Sequence, residues 1–180
     1  ADIDVALEAG SVAASELLHT PVDKIADFLE HYACLIGENS SELSQVANLE
    51  TALPVSPRFV EIELPRTIDQ LRQAATAVRD RGWTMPTIDT ATNIRSMHGP
   101  LGAPVAVFGP NNFPFAYNAL AGGDFAAAIA VRSPVIAKAH PSHPRTSQLL
   151  AGVAFQAIQD TGLPPATLQM VYHMAPEDGF

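Results

Sequence analysis

Two short polar passages close two apolar runs in this chain. Gly109-Pro110-Asn111-Asn112 follows Val105 to Phe108, and Lys138-Ala139-His140-Pro141-Ser142-His143 closes the run that begins at Pro134. Each residue type offers a chemistry. A carboxamide such as that of Asn112 donates a hydrogen bond without carrying charge, and a preorganised donor aimed at an oxygen that becomes negative contributes roughly 3 to 4 kcal/mol to a barrier. The competing role for Asn111 and Asn112 is local, because asparagine bonds its own backbone and tolerates turn dihedrals. An ammonium at the carboxyl end of a strand, as at Lys138, is placed to meet a ribose hydroxyl or a phosphate. A solvated strand-end lysine is the default for an isolated one. His140 and His143 lie three apart with no third acidic or sulfur ligand beside them, a poor metal site, so no metal is expected. Cys34 is the one thiol, in HYACLIG. It falls on what reads as the apolar side of a helix, where a buried, inert cysteine is expected, and a single cysteine excludes an internal disulfide framework.

These residues need elements to place them. Val105 to Phe108 and Pro134 to Ala139 are short continuous apolar runs closed by Gly or Pro, which predicts fully buried strands of a parallel sheet with helices on both faces. Between them Ala119 to Ala130 is expected as an alanine-rich helix, with Asp124 near its positive end. Strand, helix, strand in about thirty residues is a βαβ unit, and its ligand-touching groups sit at the strand carboxyl ends. Upstream, Val5, Leu7, Val12 and Leu17-Leu18 predict one helix. Thr20 is its successor's expected N-cap, with Pro21 at the first helical position. That second helix runs through Ile25, Phe28, Leu29, Tyr32, Leu35 and Ile36 to an expected stop at Gly37. A third leads into Glu50-Thr51-Ala52-Leu53-Pro54, and a fourth covers Val60 to Arg81 with Pro65 in its first turn or at a kink. Thr84 to Gly102 changes character, with Thr, Pro and Gly, and is expected as an extended arm or hairpin carrying His98. After the βαβ unit come a helix from Thr146 to Thr161, closed by Gly162, and a strand from Leu168 to Val171. The organisation expected is therefore helices over 1–83, the arm over 84–102 and the βαβ core over 103–180.

FGPNNFPF, AGGDFAAAIA and PVIAKAHPSHP, in that order, resemble the cofactor-domain core of the aldehyde dehydrogenase superfamily. The FG-x-x-NFP and K-x-H-P-x-HP wording is most similar to the branch holding 2-oxoglutarate semialdehyde dehydrogenases and bacterial fatty-aldehyde dehydrogenases. Glu50 to Pro54 is also a phrase of that family. Several linked motifs carry more weight than a lone glycine pattern. The resemblance spans nearly the whole chain. It implies an α/β fold in which N-terminal helices precede a βαβ parallel-sheet cofactor-binding core of the aldehyde dehydrogenase type, with an extended arm.

For function, the resemblance implies part of an NAD(P)-dependent enzyme that oxidises an aldehyde, a semialdehyde or a fatty aldehyde, to a carboxylate. Asn112 would donate to the oxygen of a thiohemiacetal, and Lys138 would hold the adenosine ribose of NADP or NAD. Phe108, Gly109, Pro110, Asn111, His140, Pro141 and Ser142 are the remaining cofactor-side candidates. NAD-preferring relatives often place a glutamate three positions after this lysine, where it repels a 2′-phosphate. Pro141 stands there in this chain, which leans the expectation to NADP or to use of both. Arg145 could add a phosphate contact. The 84–102 arm is implied as the contact of a homo-oligomer. Relatives carry a glycine-containing phrase before the Pro134 strand where this chain has Val131-Arg132-Ser133, and arginine there is costly if the backbone is left-handed. Cys34 does not match the family's nucleophile motif, and its glutamate motif and second glycine motif find no match, so the 180 residues are expected to be a truncated part, inactive alone. The rival is a non-catalytic protein that keeps the βαβ core for nucleotide binding or assembly.

Composition narrows the partners. Ten basic against 19 acidic residues leave a formal charge of -9, which repels nucleic acid and anionic membrane surfaces. No apolar run reaches the length of a membrane span, and the opening ADIDVALEAG lacks the basic start of a secretory signal, so a soluble cytoplasmic protein is expected.

Overall fold

The computed structural model describes residues 2–173; the last seven residues of the expected 103–180 unit fall outside them. Four helices lead the chain: α1 (Asp2–His19), α2 (Val22–Glu38), α3 (Ser40–Thr51) and α4 (Leu64–Asp80). A wide helical segment, Val55–Glu63, joins α3 to α4. Pro65 sits in the first turn of α4, where its missing N–H costs nothing.

α2 is the hub because its apolar residues recur every three or four positions. Ile25, Phe28, Leu29, Tyr32 and Ile36 are all buried on one face, against α4 and α6 (Pro144–Thr161). The Tyr32 hydroxyl lies 3.2 Å from the carbonyl oxygens of both Leu120 and Leu150, so it satisfies its burial by tying α2 to two parts of the core. Burial pushes its phenol well above the usual tyrosine range.

The first helix stands where it is expected, with a buried stripe that its large apolar residues do not mark, and two expectations for α2 need correction. In α1 the buried stripe is Ala6, Gly10, Ala13, Ala14 and Leu17, whereas Val5, Leu7, Val12 and Leu18 are exposed. Small residues win because the helix lies close to its neighbours: a Cβ on Gly10 would come within 2.9 Å of the Pro104 side chain. α2 begins at Val22 rather than after a Thr20 cap; Thr20 instead turns its hydroxyl back to the Glu16 carbonyl. Gly37 is inside α2, which ends at Glu38 with Asn39 beyond it.

β1 (Thr87–Asp89) and β2 (Ile94–Ser96) form an antiparallel hairpin whose six strand residues are all exposed. Asp89 shapes its turn by accepting from the Ala91 and Thr92 amides and the Thr92 hydroxyl. His98 closes the arm's base through its amide to the Thr84 carbonyl.

The core sheet is parallel, in the order β3 (Val105–Phe108), β4 (Val135–Lys138), β5 (Leu168–Val171). α5 (Gly123–Ala130) crosses from β3 to β4. It is shorter than the expected Ala119 start, because residues 117–122 make turns that Gly122 permits: a Cβ there would lie 2.7 Å from the Tyr117 Cα. The expectation of two fully buried strands holds only for the centre. Val135, Ile136 and Ala137 are buried, but β3 is an edge strand on which Ala106 and Phe108 are exposed.

Candidate functional site

The site is built where β3 and β4 end. Their register pairs Phe108 with Lys138, so the Gly109–Asn112 loop and the Ala139–His143 loop leave the sheet side by side. A parallel sheet gathers its strand carboxyl ends on one side, the side open to ligands. His143 fastens the two loops together: it is 0% exposed, and its Nε2 lies 3.0 Å from the Pro110 carbonyl oxygen. Its Nδ1 is buried with no hydrogen-bond partner among the described residues. The His140 ring stacks on that of His143 at 5.3 Å. His140 Nδ1 accepts from the Ser142 amide. Burial, and then the nearby His143 and Lys138, hold the His140 pKa below its usual value, which favours the neutral ring. Among the described residues no group of acids, histidines or cysteines could hold a metal ion.

Each predicted site residue can now be placed. Lys138 is half-buried at the end of β4, and Pro141 and Ser142 are exposed in the loop after it. Gly109 and Pro110 are half-buried. Gly109 packs so tightly that a Cβ would stand 3.0 Å from the Ala119 amide nitrogen. Phe108 is 61% exposed on the edge strand. Arg145 contributes its backbone amide to a Glu50 carboxylate contact, with its side chain outward. Cys34 corrects the expectation of burial. It is exposed on α2, with its thiol 3.5 Å from the Glu38 carboxylate one turn on.

Asn111 and Asn112 are both exposed, and neither side chain hydrogen-bonds to another described residue. Asn118, which the sequence reading did not single out, is buried. Its amide donates to the Pro114 carbonyl and the Ser147 hydroxyl, and its oxygen accepts from the Leu120 amide. Asn118 thus holds the turns at 114–120, while His143 and Arg58 hold the 109–112 loop by its backbone and leave the Asn112 carboxamide free.

The reading also missed the groups that grip the loop from below. Glu63 is 1% exposed and accepts from the amides of Phe115 and Ala116 at 2.8 and 3.1 Å. Arg58 donates to the Asn112 carbonyl at 2.7 Å and lies 4.3 Å over the Phe113 ring. Desolvation raises the Glu63 pKa, against the lowering pull of the two amides, Arg58 and His143. On the same side Arg66 donates to the Tyr117 hydroxyl at 2.6 Å and stacks on its ring, and Tyr117 meets Phe113 edge-on at 5.0 Å. Only the Glu50 phrase offered a sequence signal; its carboxylate accepts from the Arg145 and Thr146 amides and the Thr146 hydroxyl, capping α6.

Helices packed on a three-stranded parallel sheet define a mixed α/β protein, with a lysine at one strand end and a free carboxamide after its neighbour. The chain belongs to the aldehyde dehydrogenase family, whose sequence model matches residues 1–179. It is 36% identical to an α-ketoglutaric semialdehyde dehydrogenase of Acinetobacter baylyi over 180 residues, covering 95% of this chain and 34% of that protein. The second such enzyme of Azospirillum brasilense matches at the same identity and coverage. Among solved structures, aldehyde dehydrogenase C of Pseudomonas syringae, in complex with NAD+ and octanal, superimposes with a TM-score of 0.79 at 25% identity, over 99% of this chain and 34% of that one. The chain thus spans about a third of the length of these relatives.

Proposed function

We propose that these residues form the cofactor-side portion of an NAD(P)-dependent aldehyde dehydrogenase, the whole enzyme oxidising an aldehyde to a carboxylate. The observation that carries it is the free Asn112 carboxamide, exposed on a loop whose backbone is held by Arg58 and His143. A donor that costs the fold nothing to redirect is suited to an oxygen that gains charge during the reaction.

The cofactor would lie over the strand ends, with Lys138 at its adenosine ribose and Ser142 and the neutral His140 beside it. The residues present fit that group. Positions 139–143 hold no acid to repel a phosphate, and Lys138 makes no ion pair among the described residues. The same composition suits a 2′-phosphate, so NADP, or NADP and NAD together, is the cofactor we assign. When bound, the cofactor supplies the hydride acceptor; this chain's residues bind and orient it. Phe113, next in the chain after Asn112, meets Tyr117, and Tyr117 meets Arg66; we assign this group to the aldehyde side. A guanidinium with no acidic partner among the described residues favours an aldehyde with a carboxylate at its far end, a semialdehyde, over a fatty chain. The hairpin, with Ile88, Ile94 and Met97 exposed, is the surface we assign to contact between copies in the whole enzyme. No helix among the described residues is long and apolar enough to cross a membrane.

The test is a chimera in which this chain replaces the matching third of the Acinetobacter enzyme. NADP reduction by a semialdehyde is expected from the chimera and not from the 180 residues alone. Asn112→Ala should lower kcat by about 100-fold to 1,000-fold. An Asn112→Ala chimera with unchanged kcat would remove the assigned role.

A further inference from the structure

Two charged residues on the segment before α4 are committed to the loop that carries Asn112. Arg58 reaches the Asn112 carbonyl and covers the Phe113 ring; Glu63 holds the Phe115 and Ala116 amides. The two approach each other at 3.2 Å between Arg58 Nε and Glu63 Oε2, without the alignment of a hydrogen bond. As a stability device this is poor: desolvating an acid and a base usually costs as much as their attraction returns, and an apolar pair would serve better. As a positioning device it is efficient. Four contacts fall at residues 112–116, at the carboxamide's own backbone and after it, and His143 pins Pro110 two residues before it.

We infer that Arg58 and Glu63 are positioning residues that fix where the Asn112 carboxamide stands, Arg58 from the carbonyl of residue 112 and Glu63 from the amides that follow. The inference rests on the role given to Asn112 above. Neither residue touches a reacting atom. Arg58 aims the residue itself, and Glu63 holds the backbone that Phe113 and Pro114 lead into, so the two act on Asn112 separably.

The experiment is nuclear magnetic resonance on the 180-residue chain, following the Asn112 side-chain amide and hydrogen exchange at Phe115 and Ala116. In Arg58→Lys the Asn112 side-chain resonance should move and broaden while Phe115 and Ala116 keep wild-type protection. In Glu63→Ala the exchange of those two amides should quicken at least about tenfold, with a change at Asn112. Glu63→Gln, which retains a carbonyl acceptor, should restore both. An Asn112 signature unchanged in both Arg58→Lys and Glu63→Ala would overturn the inference. So would a uniform loss of protection across the chain in Arg58→Lys. If Glu63→Ala does not fold, Arg58→Lys decides alone, since Arg58 is partly exposed. Neither cofactor nor aldehyde enters this readout, so its failure is distinct from failure of the dehydrogenase reading, which the chimera tests.

Discussion

Glu63 shows how much one buried side chain can decide. Burial raises its pKa, so the folded chain binds its proton more tightly than the unfolded chain does. Between the ordinary glutamate pKa, about 4.3, and the raised folded value, the folded state holds more protons, and stability therefore falls as pH rises. Glu63→Gln does not titrate. Urea unfolding from about pH 4 to about pH 7 should show the variant gaining on the wild type as pH rises; a difference that moves the other way contradicts the assigned burial cost. Asn112 and Lys138, the residues to which chemistry is assigned in the proposal, stand at strand ends as their order in the sequence implied. Glu63, Arg58 and Asn118 were not legible in the sequence. A glutamate and an arginine in a helical stretch look like a solvated face, and only tertiary contact reveals that residues 58 and 63 reach residues 112–116.

At the scale of elements, backbone conformation carries the sharpest expectations. Arg132 follows α5 in the left-handed region, with φ of 63°, and its guanidinium donates to the Leu18 carbonyl at 2.7 Å. The cost foreseen from the sequence is therefore present, and the side chain offsets part of it by tying α5 to α1. Arg132→Gly and Arg132→Ala both lose the bond, but only glycine relieves the strain. The glycine variant should be the more stable of the two by about 1 kcal/mol in urea unfolding; equal stabilities would mean that the backbone relaxes. Glu50 caps α6 from another helix with three hydrogen bonds, so Glu50→Ala should cost about 1 to 2 kcal/mol by the same measurement. Helix periodicity found α2, α4 and α6, because each carries apolar residues at helical spacing, although α6 buries mainly small residues and leaves Phe155 exposed. It found α1 as well, though not its buried stripe of alanine, glycine and Leu17, and it began α5 too early, because the apolar approach from Ala119 reads as helix yet is held in turns by Asn118 and Gly122.

Across the whole molecule, the fold puts the site where two halves meet. The helical half supplies Arg58, Glu63 and Arg66 through the segment before α4 and the helix itself, and the sheet half supplies Asn112 and Lys138 from adjacent strand ends. The order of elements was legible because the strands are short apolar runs closed by Gly, Pro or Lys. The exposed face of β3 was not, because Val-Ala-Val-Phe reads as a short apolar run whether the strand lies at the edge or in the centre. The proposal with the widest reach is a cofactor site centred on Lys138, at the end of β4. Calorimetric titration of the 180-residue chain with NADP and NAD, beside Lys138→Ala, tests it most directly. Saturable binding, tighter for NADP or equal for the two, and weakened by the substitution, is the predicted result. NADP binding that is unchanged in Lys138→Ala would contradict the account.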